Sequence, residues 1–336
     1  MKTALTVIFL LFAAILYPQA ENNDFYDNTE TIKLAGPELE ITGEIDNPGK
    51  VDFSGLQLRA VIVREAVTKD NQLVFVGSYR YDGYSLFDIL KERFVNKKNK
   101  EEFKPVIDLL VSIENDAGEK VVFSWGEIYY PTNQHQIIIA TRVAPIIPTH
   151  TKKQWPLPET TKVVNALDMA TERNISRPTK IHIFSAPLQF PIKSKQTKIS
   201  ADSISIFHNK KKISQVKNLA DNFEKRTYPS VFYGRGTGFH GIQYFSGNPF
   251  KELLATFFEC NRKNIQTGYL VVAGADGYRV AMTLGELCNR NDQADSLIID
   301  QGPKSDKGRF RLFPTPDFFS DRAVFAISEI HFLSIE

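Results

Sequence analysis

Polar and apolar residues alternate over Glu38–Ile45, and the run ends at Asp46-Asn47-Pro48-Gly49. That is the pattern of a half-buried strand closed by a turn. Gln57–Val67 and Gln72–Tyr79 continue in the same manner, and Ile137–Ala140 is a short strand of the fully buried type. From Ser85 the spacing changes. Leu86, Phe87, Ile89, Leu90 and Phe94 form a stripe that predicts a helix. Residues 144–178 are interrupted by prolines and read mostly as loop, before a closing strand at Lys180–Phe184. The order then recurs. Strands are predicted at Ser203–His208 and Ser230–Tyr233, and a helix over Pro249–Cys260 with Leu253, Leu254, Phe257 and Phe258 on one face. Further strands follow at Ser296–Asp300, Arg309–Phe313 and Ala326–Ile335. Mixed strands and short helices in this order predict an α+β fold present as two tandem mixed-β domains.

The recurrence is sharpest in one hairpin. Gly118-Glu-Lys-Val-Val-Phe-Ser-Trp-Gly-Glu127-Ile128 and Gly277-Tyr-Arg-Val-Ala-Met-Thr-Leu-Gly-Glu286-Leu287 follow one template. A fixed-period echo of this kind marks a repeated structural unit. The leading glycines suit a positive-φ turn between strands. Ser124 and Thr283 stand as N-caps, with Glu127 and Glu286 three residues on in the capping-box position. The predicted organisation is residues 1–20 as a signal peptide, 21–36 as an extended segment, 37–190 as the first repeat and 198–336 as the second.

Composition narrows the function classes. Basic and acidic residues number 41 and 39, so no global field draws the chain to nucleic acid. The clusters Lys97-Lys98-Asn99-Lys100 and Lys210–Lys212 read as solvated loops. Lys2, the apolar run Thr3–Leu16 and the following Tyr17-Pro18-Gln19-Ala20 have the layout of a secretion signal. The expected location is therefore periplasmic or extracellular, with no membrane span in the mature chain. Cys260 and Cys288 are the two cysteines; a disulfide, a pair of buried thiols and reactive chemistry all remain open. His182 and His331 lie in apolar strands and read as structural. No Gly-x-Ser-x-Gly elbow supports a hydrolase.

The second repeat resembles the molybdopterin-binding domain of sulfite-oxidase-type oxidoreductases. The residues that carry the likeness are Phe245-Ser-Gly247-Asn-Pro249-Phe-Lys-Glu-Leu-Leu254, Gly268–Val280 with its Ala-Asp-Gly-Tyr, Gly308–Phe313 and Ile327–Phe332. The first repeat is similar more loosely, through Tyr81-Asp-Gly83-Tyr-Ser-Leu-Phe-Asp-Ile-Leu90. The resemblance implies that fold in two copies, with molybdopterin as the cofactor to consider. Members of that family ligate molybdenum with a cysteine thiolate ahead of the Gly-x-Pro motif. Here the stretch is Ser230–Gly241, without cysteine, and no hydroxyl or imidazole replaces a soft thiolate. No cofactor, metal site or catalytic residue is therefore expected.

The loop from Tyr233 to Gly241 is the candidate ligand site. Its glycines let backbone N–H groups approach an anion, while Tyr233, Arg235, Thr237 and His240 supply side-chain donors. The resulting expectation is an exported, non-catalytic protein that binds a small anionic or polar ligand or a protein partner. The alternative is an oxidoreductase holding a pterin or another redox cofactor in the second repeat.

Overall fold

Strands take up 45% of the chain and helices 11% in the computed structural model, which describes residues 30–336 apart from 71, 191 and 193–199. Through residue 185 the order is β1 (Ile32–Lys33), β2 (Glu40–Gly43), β3 (Gly49–Lys50), β4 (Arg59–Lys69), β5 (Gln72–Ser85), α1 (Leu86–Leu90), β6 (Leu109–Asn115), β7 (Lys120–Ser124), α2 (Trp125–Tyr129), β8 (Ile137–Pro145), β9 (Lys162–Asn165) and β10 (Pro178–Ser185). It continues with β11 (Ile204–His208), β12 (Lys211–Val216), β13 (Arg226–Gly234), β14 (Gly238–Pro249), α3 (Phe250–Ala255) and α4 (Arg262–Thr267). The last elements are β15 (Gly268–Gly274), β16 (Arg279–Thr283), α5 (Leu284–Cys288), β17 (Leu297–Asp300), β18 (Phe310–Phe313) and β19 (Ile327–Ser334).

These strands form four small sheets arranged as a four-bladed β-propeller. The blades run β1-β8-β5-β4 with β9 beside β8, β3-β2-β10-β6-β7, β12-β11-β19-β15-β16, and β13-β14-β17-β18. The expected α+β pair of domains is thereby overturned. With it go the sulfite-oxidase-like fold and the molybdopterin-binding and oxidoreductase-like character that the resemblance implied. The predicted helices stop early: α1 ends at Leu90, leaving Phe94 70% exposed, and α3 ends at Ala255, where Thr256 Oγ1 turns back to the Leu253 carbonyl at 2.7 Å. The expected signal peptide lies outside the described residues. Among the described residues no helix is long and apolar enough to cross a membrane.

One pairing scheme occurs twice. β2 runs parallel to β10, which pairs antiparallel with β6; β11 runs parallel to β19, which pairs antiparallel with β15. The turns β6–β7 and β15–β16 both place their glycine at positive φ, +82° for Gly118 and +85° for Gly277. Between the two halves of the chain, Leu110 and Val122 pack against Tyr269, Val271, Ala281 and Leu333.

At the centre, the two echoed hairpins face each other and exchange side chains. Ser124 and Thr283 cap their helices as expected, accepting the backbone N–H of Glu127 at 2.8 Å and of Glu286 at 3.1 Å. The glutamates do not complete the capping boxes. Glu127 instead pairs with Arg173, which also holds Asp168; Glu286 pairs with Arg322, which also holds Asp317. Each hydroxyl reaches across, Ser124 donating to Glu286 at 2.5 Å and Thr283 to Glu127 at 3.1 Å. The glycine before each glutamate makes room for the guanidinium of the opposite half. A Cβ on Gly126 would lie 2.4 Å from Arg322 Cδ, and one on Gly285 would lie 2.5 Å from Arg173 Cζ.

The side chains of four acids, Glu127, Asp168, Glu286 and Asp317, here face two buried guanidinium groups, none of them more than 4% exposed. Burial pushes Glu286 up to about 7 and Asp168 to about 6, against the pull of their arginine partners.

Candidate functional site

The loop singled out in the sequence is the tip of a two-stranded ribbon. β13 and β14 pair antiparallel from Arg226↔Gly247 to Gly234↔Gly238, with a bulge between Val231 and Tyr233. The ribbon belongs to the strand pattern rather than to a glycine loop. Gly238 and Gly241 take positive φ, +78° and +101°, which allows β14 to start directly after the three-residue turn Arg235-Gly236-Thr237.

Period-two alternation sorts the ribbon into two faces. Phe232 and Phe245 point inward onto Phe313, with Tyr228, Leu297 and Ile299 around them. Opposite them, three cross-strand pairs point outward: Pro229↔Tyr244, Val231↔Ile242 and Tyr233↔Phe239. Val231 is 65% exposed, Ile242 66%, Tyr244 74% and Phe239 61%. Tyr233 leans toward Phe318 and Phe319, at centroid distances of 5.7 and 6.2 Å, and Phe318 extends the exposed apolar surface. β13 is the outer strand of its blade.

All four predicted site residues sit at this tip, in three different settings. Tyr233 belongs to the apolar face. Thr237 Oγ1 and His240 Nε2 hydrogen-bond each other at 2.6 Å across the turn, the His240 ring lying 5.6 Å from Phe232. Arg235, itself exposed, donates through Nη1 to Tyr130 Oη at 3.3 Å with its guanidinium 5.7 Å from the Phe319 ring. That hydrogen bond raises Arg235, while burial raises both Tyr130 and the neighbouring Asp321. The same bond ties the ribbon tip to the first half of the chain.

The space beside the tip is small. The cavity bounded by Ser230–Tyr233 and Phe313–Ser320 measures about 10 Å³, far below the few hundred Å³ of an ordinary small-molecule pocket. A larger open groove of about 880 Å³ lies along Glu44, Lys98 and Ser185–Gln189. Its buried carboxylate, Glu44, is already engaged by the Lys98 and Ser185 backbone N–H groups and the Ser185 hydroxyl. Among the described residues, no group of three His, Cys, Asp or Glu side chains gathers as a metal centre would require.

The exposed residues Val231, Phe239, Ile242 and Tyr244 were not part of the sequence-derived site. Their signal was present, since Tyr228–Tyr233 and Ile242–Phe245 alternate as strand faces do, but the glycines between them read as a loop. No family model matches the chain, and no curated protein matches it.

Proposed function

We propose that the protein is a binding module whose partner is another protein, docked on the outward face of the β13–β14 ribbon. The observation that carries this reading is the set of three apolar cross-strand pairs left open to water. A contiguous apolar face is costly to leave solvated and is the usual mark of an interaction surface. Aromatic anchors such as Tyr244 and Phe239 are the side chains that dominate such contacts.

The test uses the full-length chain recovered from its native host. Proteins co-purifying with the parent are compared quantitatively with those held by the double variant Val231→Asp/Ile242→Asp. A partner retained by the parent and lost from the variant, with the melting temperature unchanged, supports the reading. The affinity loss measured with that partner should be at least about 100-fold, the size expected for two central contacts. Identical partners in both samples, or none in either, would overturn it.

A further inference from the structure

The chain's two cysteines are separated in sequence but meet in space. Cys260 lies in the short link between α3 and α4, and Cys288 is the last residue of α5. Both of the earlier helices pack on α5, and the two thiols lie within interaction range of each other. They are not bonded as a disulfide, and their exposure differs, Cys260 being exposed and Cys288 half-buried. Cys260 opens onto a groove of about 670 Å³ whose other walls include Phe258, Glu259, Lys263 and Arg262, the last paired with Glu172, with Thr68 and Asp70 at the β4–β5 turn.

We infer that Cys260 and Cys288 form a thiol–disulfide exchange site, taking a low-molecular-weight disulfide as its substrate. Cys260 is the attacking sulfur, because of the two thiols it alone faces the groove. Its thiolate displaces one sulfur of the incoming disulfide, which leaves as a thiolate and takes up a proton. The mixed disulfide on Cys260 is then attacked by Cys288, whose proton goes to solvent, and the second thiolate departs and is protonated. The protein has lost two protons and two electrons; the small disulfide has gained them and become two thiols. The neighbouring thiol, together with Lys251, lowers the Cys260 pKa, whereas Cys288 is pushed well up by the same contact and by burial. That difference suits one sulfur to attack and the other to resolve.

The probe is oxidised glutathione, a small disulfide carrying several carboxylates, added to the reduced, folded, full-length protein. Intact mass spectrometry of the parent should show loss of two hydrogens and no stable adduct, with peptides containing residues 260 and 288 cross-linked. Cys288→Ser should instead trap one glutathione on Cys260. Cys260→Ser should leave Cys288 at least ten-fold slower to react than Cys260 in its own single variant. A parent that keeps a glutathione adduct, stays unmodified, or forms a disulfide between two chains would overturn the inference. So would equal reactivity of the two single variants.

Discussion

Ser124 hydrogen-bonds Glu286 across the boundary between the two halves of the chain, 2.5 Å from hydroxyl to carboxylate. The same hydroxyl accepts the Glu127 backbone N–H and so ends one helix while partnering the acid of the other. Two duties fall on one oxygen, and Thr283 has the mirror pair. Ser124→Ala should therefore cost more than an ordinary cap, about 2–3 kcal/mol, because a bond to a buried acid is lost as well. Asn261→Ala is the comparison, since Asn261 caps α4 at the surface through one 3.0 Å bond. It should cost about 1 kcal/mol. Urea denaturation of both variants measures the difference, and equal costs would show that the cross-half bond contributes nothing.

Gly126 and Gly285 each lie against an arginine that two carboxylates hold in place. Those guanidinium groups cannot swing aside without leaving Glu127, Asp168, Glu286 or Asp317 unpaired. Gly126→Ala and Gly285→Ala should each destabilise by about 1–3 kcal/mol through overpacking, despite the better helix propensity of alanine. A neutral or stabilising result in thermal melts would show that the arginines can shift freely.

The central acids set a pH dependence of definite sign. The folded pKa of Glu286, about 7, lies above its ordinary value of 4.5. Between those values the folded chain holds a proton that the unfolded chain releases. Its contribution is fully present below pH 4.5 and is lost as pH rises through 7. Asp168, raised to about 6, acts in the same direction from its ordinary 3.8. Glu286→Gln should reduce the loss of stability between pH 5 and pH 8 by on the order of 1–3 kcal/mol. Denaturation curves at the two pH values decide it, and an unchanged difference would place the proton elsewhere.

Arg311 is buried beneath the ribbon against Phe232, Phe245 and Phe325, with Nε and Nη2 lacking hydrogen-bond partners. Burial pulls its pKa down to about 10. Replacing a buried cation that forms no ion pair among the described residues by an apolar chain of similar length removes a desolvation cost. Arg311→Met should be neutral or stabilising by up to about 1–2 kcal/mol. A clear loss of stability would mean that the guanidinium–ring contacts outweigh that cost.

The central hairpins were legible because their determinants are local. Gly118 and Gly277 needed a positive-φ turn, and Ser124 and Thr283 stood where a cap belongs. The arginines completing the centre were not found. Asp168-Met-Ala-Thr-Glu-Arg173 and Asp317-Phe-Phe-Ser-Asp-Arg322 are themselves an echo, but they fall in stretches without apolar periodicity, one of them read as loop. Four-bladed closure was out of reach for a different reason. Which strand joins which blade depends on contacts such as Ile181 with Ile41 and Ile113, far apart in sequence, whereas alternation reports only that a segment is a strand. The stripes after Ser85 and Pro249 overstated the helices because buried turns and short helices share the same apolar residues. At the ribbon tip, Arg235 was chosen for its charge, and only the fold shows Tyr130 waiting for it.

The trade at the centre is even-handed: Arg322 sits on Gly126, Arg173 on Gly285, and each hydroxyl serves the other half's acid. This is the pattern of a two-fold interface, in which one patch meets its own equivalent. None of these contacts distinguishes a second half supplied by the same chain from one supplied by a neighbour. Refolded at high concentration, two molecules can satisfy every one of them by exchanging halves, so a domain-swapped dimer with an unaltered centre is the natural misassembly of this protein.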